Sequence, residues 1–212
     1  MTTWRHLRLL ILKEHSVMIN KQQNLEQMRI LTDDIFNGDD RSVAIVGGAC
    51  IDDLLKQLLQ IRLLARFRGL RSREAKRAKE TVEKLFDSDR PLGSFSARTD
   101  LCLGVGLIGP IAHSDIYYIR QIRNRFAHFV TLPDGSGSLD RVTFKTRQIV
   151  DWCSNLQYLR TEPKSRLWTT NAKDQFSGTC VWFSLLLSEQ ALTMTEVLSN
   201  KGALDQDPQL LR

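Results

Sequence analysis

The chain lacks several of the patterns from which a function is commonly inferred. None of its four cysteines, Cys50, Cys102, Cys153 and Cys180, forms a C-x-x-C pair, so the sequence predicts neither a zinc ribbon nor a thioredoxin-like redox site. The run Leu92-Gly93-Ser94-Phe95 has neither the glycine spacing nor the lysine of a phosphate-binding loop. We expect reduced cysteines in the core of a cytosolic protein, and no metal and no cofactor.

Long apolar runs are also missing. The longest candidate, residues 180–187, is far shorter than the roughly 20 residues that span a bilayer. Residues 7–12 are apolar, but the run is too short for a signal peptide and lacks a small-residue cleavage site. We therefore expect a cytoplasmic protein. We expect residues 1–18 to be an N-terminal extension of the domain, and if translation starts at Met18 rather than at Met1, residues 1–17 lie upstream of the start.

What the chain does have is a surplus of positive charge. Its 30 Lys and Arg residues exceed its 24 Asp and Glu residues, which gives a net charge of +6. A basic balance favours an anionic partner, of which nucleic acid is the commonest. The length of 212 residues and the 42% of hydrophobic residues are ordinary for one globular domain. We expect a single domain over residues 19–198 and a flexible tail over residues 199–212.

Much of this positive charge is concentrated in a basic run over residues 62–79, which is offset by only two glutamates, Glu74 and Glu80. A solvated helix face is one interpretation, and a surface that follows a phosphate backbone is the other. No aromatic residue interleaves the run after Phe67, so base stacking is not predicted there. The candidate phosphate-binding residues in and around the run are Arg71, Arg73, Lys76 and Arg77, with Arg98 and Arg125 added from later segments.

Apolar residues recur at helical spacing through most of the chain, which predicts an all-α fold. The longest stripe, over residues 43–67, predicts a central helix that contacts neighbours on two sides. Gly47 and Gly48 lie inside it, and we expect them to allow close approach of another backbone, such as that of a second copy. Further helices are predicted over residues 19–36, 94–107, 116–128, 146–159 and 176–198, with a flexible surface loop over residues 131–140.

The helix predicted over residues 116–128 reads IYYIRQIRNRFAH. Its polar face carries Tyr117, Asn124 and His128, and the last two are four residues apart and therefore neighbours. Arg123 falls on the flank. One ideal helix does not bring Arg123 to His128, so they meet only through a distorted last turn or across a two-fold axis between two copies.

The form Arg-x4-His, with Asn directly after the Arg, resembles the motif of the HEPN superfamily of helical nucleotide-binding and ribonuclease domains. Two earlier blocks, VAIVGGACIDDLLKQLL and LFDSDRPLGSFSARTDLCLGVGLI, occur in the expected order before it. The set resembles the mannitol operon repressor family and its HEPN-like relatives. The resemblance covers roughly residues 41–156 and implies an antiparallel helical bundle that forms a homodimer.

The resemblance implies roles for individual residues if the chain cleaves RNA. His128 would act as general base or acid, Arg123 would stabilise charge on the phosphorane, and Asn124 would orient the histidine or hold phosphate. Tyr117, on the same helix face as Asn124 and His128, would support the site. Two interpretations remain for Asp52 and Asp53. Both lie on a solvated helix face, or one of them pairs with Arg98, Arg123 or Arg125.

Three functions follow as hypotheses. The first is a bacterial regulatory protein, similar to mannitol operon repressors, that acts by binding nucleic acid or a protein such as a transcription factor or antitoxin. No helix-turn-helix, zinc finger or basic zipper is evident, yet the intact Arg-Asn-x-x-x-His departs from that family's regulators. The second is a metal-independent endoribonuclease. The third is a non-catalytic dimeric scaffold.

Overall fold

The longest apolar stripe of the sequence forms the central helix, α1, Asp40–Ala65. Asp39 caps its N-terminus, because the carboxylate accepts hydrogen bonds from the backbone N–H groups of Arg41 and Ser42, both at 2.9 Å. α1 packs most extensively along the last helix and next along the motif helix. The predicted central position of this helix is therefore confirmed.

The computed structural model describes residues 32, 33, 35, 37–67, 72–128, 131–133, 139–157 and 171–199. Within these residues, five helices follow α1: α2 (Ser72–Lys84), α3 (Phe95–Gly104), α4 (Pro110–His128), α5 (Arg147–Ser154) and α6 (Ala172–Ser199). The predicted all-α fold is confirmed. The helix predicted over residues 19–36 and the tail fall almost wholly outside the described residues, as does Arg71.

Two predictions along the chain were wrong in detail. The predicted loop over residues 131–140 contains a short antiparallel hairpin, β1 (Thr131–Pro133) paired with β2 (Leu139–Arg141), in which Leu132 lies opposite Asp140. The motif helix α4 begins at Pro110 rather than at residue 116. One reason is that Pro at the first helical position has a suitable φ and loses no intrahelical hydrogen bond.

Three aromatic rings join the C-terminal end of α4 to the rest of the core. Phe144 lies between Phe126 of α4 and Phe176 of α6, with ring centroids 5.1 and 5.4 Å apart. All three side chains are buried, and such offset contacts add to the stabilisation from area burial. The cluster fixes where α4 ends, and therefore where the Arg-Asn-x-x-x-His residues are presented.

The two glycines of α1 are contacted from within the same chain. A Cβ on Gly48 would lie 2.8 Å from the Cβ of Arg123, and one on Gly47 would lie 3.0 Å from the Sγ of Cys180. The glycines thus do allow close approach, but the nearest atoms belong to side chains rather than to another backbone. The space beside the two glycines is occupied by α4 and α6 of the same chain rather than by the backbone of a second copy.

Candidate nucleic-acid site

A buried ion pair joins α1 to α3 beside the motif helix. The Nε and Nη2 atoms of Arg98 each donate to a carboxylate oxygen of Asp52 at 2.7 Å, and Nη1 donates to the carbonyl of Leu92 at 2.7 Å. This bidentate contact is the geometry that makes arginine the preferred partner of a carboxylate. The predicted pairing of an aspartate on α1 with Arg98 is confirmed for Asp52, whereas Asp53 is exposed.

The same contacts correct the expectation that Arg98 binds nucleic acid. Only 8% of this residue is exposed, and its donors on both edges are occupied inside the protein. A buried and paired guanidinium is not available to a phosphate, so Arg98 has a structural role. Burial raises the pKa of the Asp52 carboxyl, while the Arg98 hydrogen bonds and the positive charges of Arg98 and Arg123 act in the opposite direction.

Arg123 is turned into the contact between α4 and α1. Its Cβ, Cγ and Cδ atoms face the backbone of Gly48, one helical turn before Asp52 on the same face of α1. Its Nε atom is buried and has no hydrogen-bond partner among the described residues. Arg123 thus lies in a cluster with Asp52 and Arg98. Sequence reasoning left open which arginine pairs with the aspartate, because the three residues come from three helices.

Asn124 and His128 lie on a different side of α4 from Arg123. Asn124 is half-buried, while His128 is exposed as the last residue of the helix. α4 remains an α-helix through His128, so the distorted last turn that was one way of joining Arg123 to His128 does not occur. Five residues correspond to about 140° around a helix, so within one chain the motif does not close into a three-residue site.

Two further residues of α4 were predicted to take part, Tyr117 as a supporting residue and Arg125 as a phosphate-binding residue. Tyr117 is exposed, its ring meets that of Tyr118 edge-on at 5.5 Å, and the guanidinium of Arg120 lies 5.4 Å from its centroid. Arg125 is half-buried, and its Nε atom is fully covered. Tyr117 is therefore presented at the surface, whereas Arg125 contributes at least part of its guanidinium to packing.

The part of the basic run from Arg73 onward lies on α2. In that helix only Val82 is fully buried, and the exposed residues Arg73, Arg77 and Lys84 share a helix face at spacings of four and seven. Lys76 flanks them. Among the described residues no acidic group pairs with these four cations, whereas the neighbouring Lys79 pairs with Glu83 at 3.8 Å. Sequence reasoning missed Lys84, although its spacing of seven from Arg77 is a helical signal.

A groove lies between α1 and α2. Its volume is about 310 Å³, and its lining residues are Gln57, Gln60, Ile61, Leu64, Lys79 and Glu83. Neither glutamine side chain has a hydrogen-bond partner within the described part of the chain. No pattern in the sequence indicated this groove, because its floor and its charged rim come from different helices.

No known protein family, curated protein or solved structure matches this chain in the comparisons. Among the described residues, no three His, Cys, Asp or Glu side chains come together in a group that could hold a metal ion. Over the same residues, no helix is both long and apolar enough to cross a bilayer.

Proposed function

We propose that the chain is a regulatory protein that binds nucleic acid through the outward face of α2. The observation that carries the proposal is the set of four exposed cations without an acidic partner among the described residues: Arg73, Lys76, Arg77 and Lys84. From residue 73 to residue 84 the helix rises about 16 Å. At about 3.4 Å of helix axis per phosphate of one strand, that length matches roughly five phosphates.

The resemblance to HEPN-like mannitol operon repressors agrees with this proposal. Such a protein would act on nucleic acid without a recognition helix, and the face of α2 would supply contacts that position the partner without reading its bases. A homodimer, as the resemblance implies, would present two such faces in one particle. We propose this arrangement, with a partner protein as a further participant in regulation.

The test is the salt dependence of binding. Four phosphate contacts predict a slope of about −3.6 in a plot of log K against log salt for duplex DNA, and about −2.8 for a single strand. Affinity for the duplex should therefore fall on the order of 100-fold between about 50 and 200 mM salt. Fluorescence anisotropy with labelled 20-mers of both kinds measures the slope directly.

Charge variants locate the contacts. Arg73→Gln combined with Arg77→Gln should reduce the magnitude of the slope by up to about 2, because each lost phosphate contact removes about one unit. Lys145→Gln combined with Arg147→Gln makes the same charge change on exposed residues at the start of α5 and should leave the slope unchanged. Equal effects of the two double variants would place the binding surface elsewhere, and salt-independent binding would refute the proposal.

A second candidate is a metal-independent endoribonuclease, and one observation favours it. His128 is exposed, lies one turn from Asn124, and neither side chain has a hydrogen-bond partner among the described residues. An imidazole so placed suits general acid or base catalysis on the ribose 2′-hydroxyl. Since Arg123 is turned toward Gly48 in each copy of the chain, the phosphorane would need an arginine other than Arg123, from the same chain or from a second copy across a two-fold axis.

Mixed RNA incubated with the purified chain in EDTA distinguishes the candidates. Cleavage that His128→Ala abolishes would establish the ribonuclease. Intact RNA together with salt-sensitive binding would establish the regulator. Intact RNA without any binding would leave the third hypothesis, a non-catalytic dimeric scaffold.

A further inference from the structure

The groove between α1 and α2 opens beside the basic face of α2. Lys76, Lys79 and Glu83 follow one another at spacings of three and four, so they form one stripe along the helix. Lys79 and Glu83 line the groove, while Lys76 is exposed and has no acidic partner among the described residues. A phosphate held at Lys76 would thus lie next to the groove.

We propose that this groove receives a base of single-stranded nucleic acid whose phosphates follow the outward face of α2. The inference rests on the proposed function and adds the kind of nucleic acid and the place where a base is held. The floor is formed by Ile61 and Leu64, and apolar side chains of this kind can cover the face of an unstacked base. A base in a duplex is stacked and paired, so it cannot enter.

The polar groups of the groove match the edge of a base. The side chains of Gln57 and Gln60 each offer a donor and an acceptor, and neither is occupied by another described residue. The carboxylate of Glu83 only accepts. An exocyclic amine can donate to it, as that of cytosine does, whereas the single N3–H donor of uracil lies between two carbonyl oxygens that repel a carboxylate.

The sequence offers no aromatic residue in the basic run, and base stacking was not predicted there. The groove likewise has no aromatic residue in its lining, and α1 provides an aliphatic surface instead of a ring. Glu83 lies 3.8 Å from Lys79 at an exposed ion pair. A pair of this kind contributes little to stability, so a base amine can take the place of the lysine at small cost.

The test compares labelled 20-mers of oligo(A), oligo(C) and oligo(U) RNA, and a duplex, by anisotropy with the full chain. Oligo(A) and oligo(C) should bind about fivefold more tightly than oligo(U), since their exocyclic amine can donate to Glu83 without the repulsion from the two uracil carbonyls, which is worth about one net hydrogen bond. Gln60→Leu should lower the affinity for oligo(A) and oligo(C) by a similar factor. Gln148→Leu, an exposed glutamine of α5, is the matched control and should change nothing.

The outcomes separate this inference from the proposed function. Salt-sensitive binding that is equal for the three homopolymers and unaffected by Gln60→Leu would overturn the base site and leave the phosphate face intact. Duplex binding as tight as single-strand binding would also overturn the base site. Failure to bind any of the four probes would overturn both.

Discussion

Gly48 provides the sharpest test of how α4 approaches α1. Gly→Ala inside a helix ordinarily stabilises by about 1 kcal/mol, because Ala has the best helix propensity. At Gly48 the new Cβ would lie 2.8 Å from the Cβ of Arg123 and 2.9 Å from its Cγ and Cδ. Ordinary carbon–carbon contact is about 3.5 Å or more, and the nearest atom is a Cβ, which no rotamer change can move. The two helices would therefore have to separate by roughly 0.7 Å.

The expected magnitude follows from two opposing effects. Overpacking of this kind costs about 1 to 3 kcal/mol, and the gain in helix propensity offsets about 1 kcal/mol. We expect Gly48→Ala to lower the free energy of unfolding by about 1 kcal/mol, which corresponds to a fall in Tm of about 2 to 4 °C for a chain of this size. Thermal and urea unfolding followed by circular dichroism would measure both quantities.

Gly104 is the matched control. A Cβ at this position of α3 meets no atom within 4 Å, so Gly104→Ala should be neutral or stabilising by at most about 1 kcal/mol. Arg123→Gly removes all three clashing atoms, so the double variant with Gly48→Ala should recover about 1 kcal/mol relative to additivity. The close contact would be refuted if Gly48→Ala raised Tm as Gly104→Ala does, or if the double variant were additive.

Two further predictions concern the buried ionisable groups. Arg98→Met should lower the free energy of unfolding by about 3 kcal/mol at neutral pH, because Asp52 stays buried without its partner, whereas Arg90→Met at a largely exposed pair should change it by less than about 0.5 kcal/mol. Loss of Arg98 raises the already elevated pKa of Asp52 further. The loss in the free energy of unfolding, measured with urea, should therefore be smallest below the ordinary pKa of 3.8 and should grow as the pH rises through the raised pKa. A loss that does not depend on pH would contradict this. Burial raises the pKa of Cys102 and Cys153 to about 12, so neither thiol should react with iodoacetamide at pH 8 until denaturant is added, and mass spectrometry showing rapid native labelling would contradict their burial.

Helix type and the central element could be predicted because they depend on local periodicity. The apolar stripe of α1 repeats at three and four residues over many turns, so a core face was evident without any partner. The start of α4 was not found, because Pro110 follows a glycine and such a pair also predicts a turn.

The candidate site could be predicted only in part. The spacing of Asn124 and His128 on one helix fixed them as neighbours. The burial of Arg98 and the direction of Arg123 depend on which helices lie beside them, and a single helix projection carries no information on that. For the same reason the sequence placed Arg98 among the nucleic-acid contacts, although its charge is compensated internally by Asp52.

By itself, the sequence determined that the chain is helical, that its longest stripe is central, and that a surplus of cations lies in one run, because periodicity and charge are properties of consecutive residues. Tertiary structure alone decided which cations remain available to a partner. Arg98 forms an ion pair with a carboxylate of α1 and is therefore not available to a partner. The cations of α2 face outward beside a groove that α1 completes. The physical reason is that the availability of a charge depends on the groups that surround it in space, and these come from helices distant in the chain.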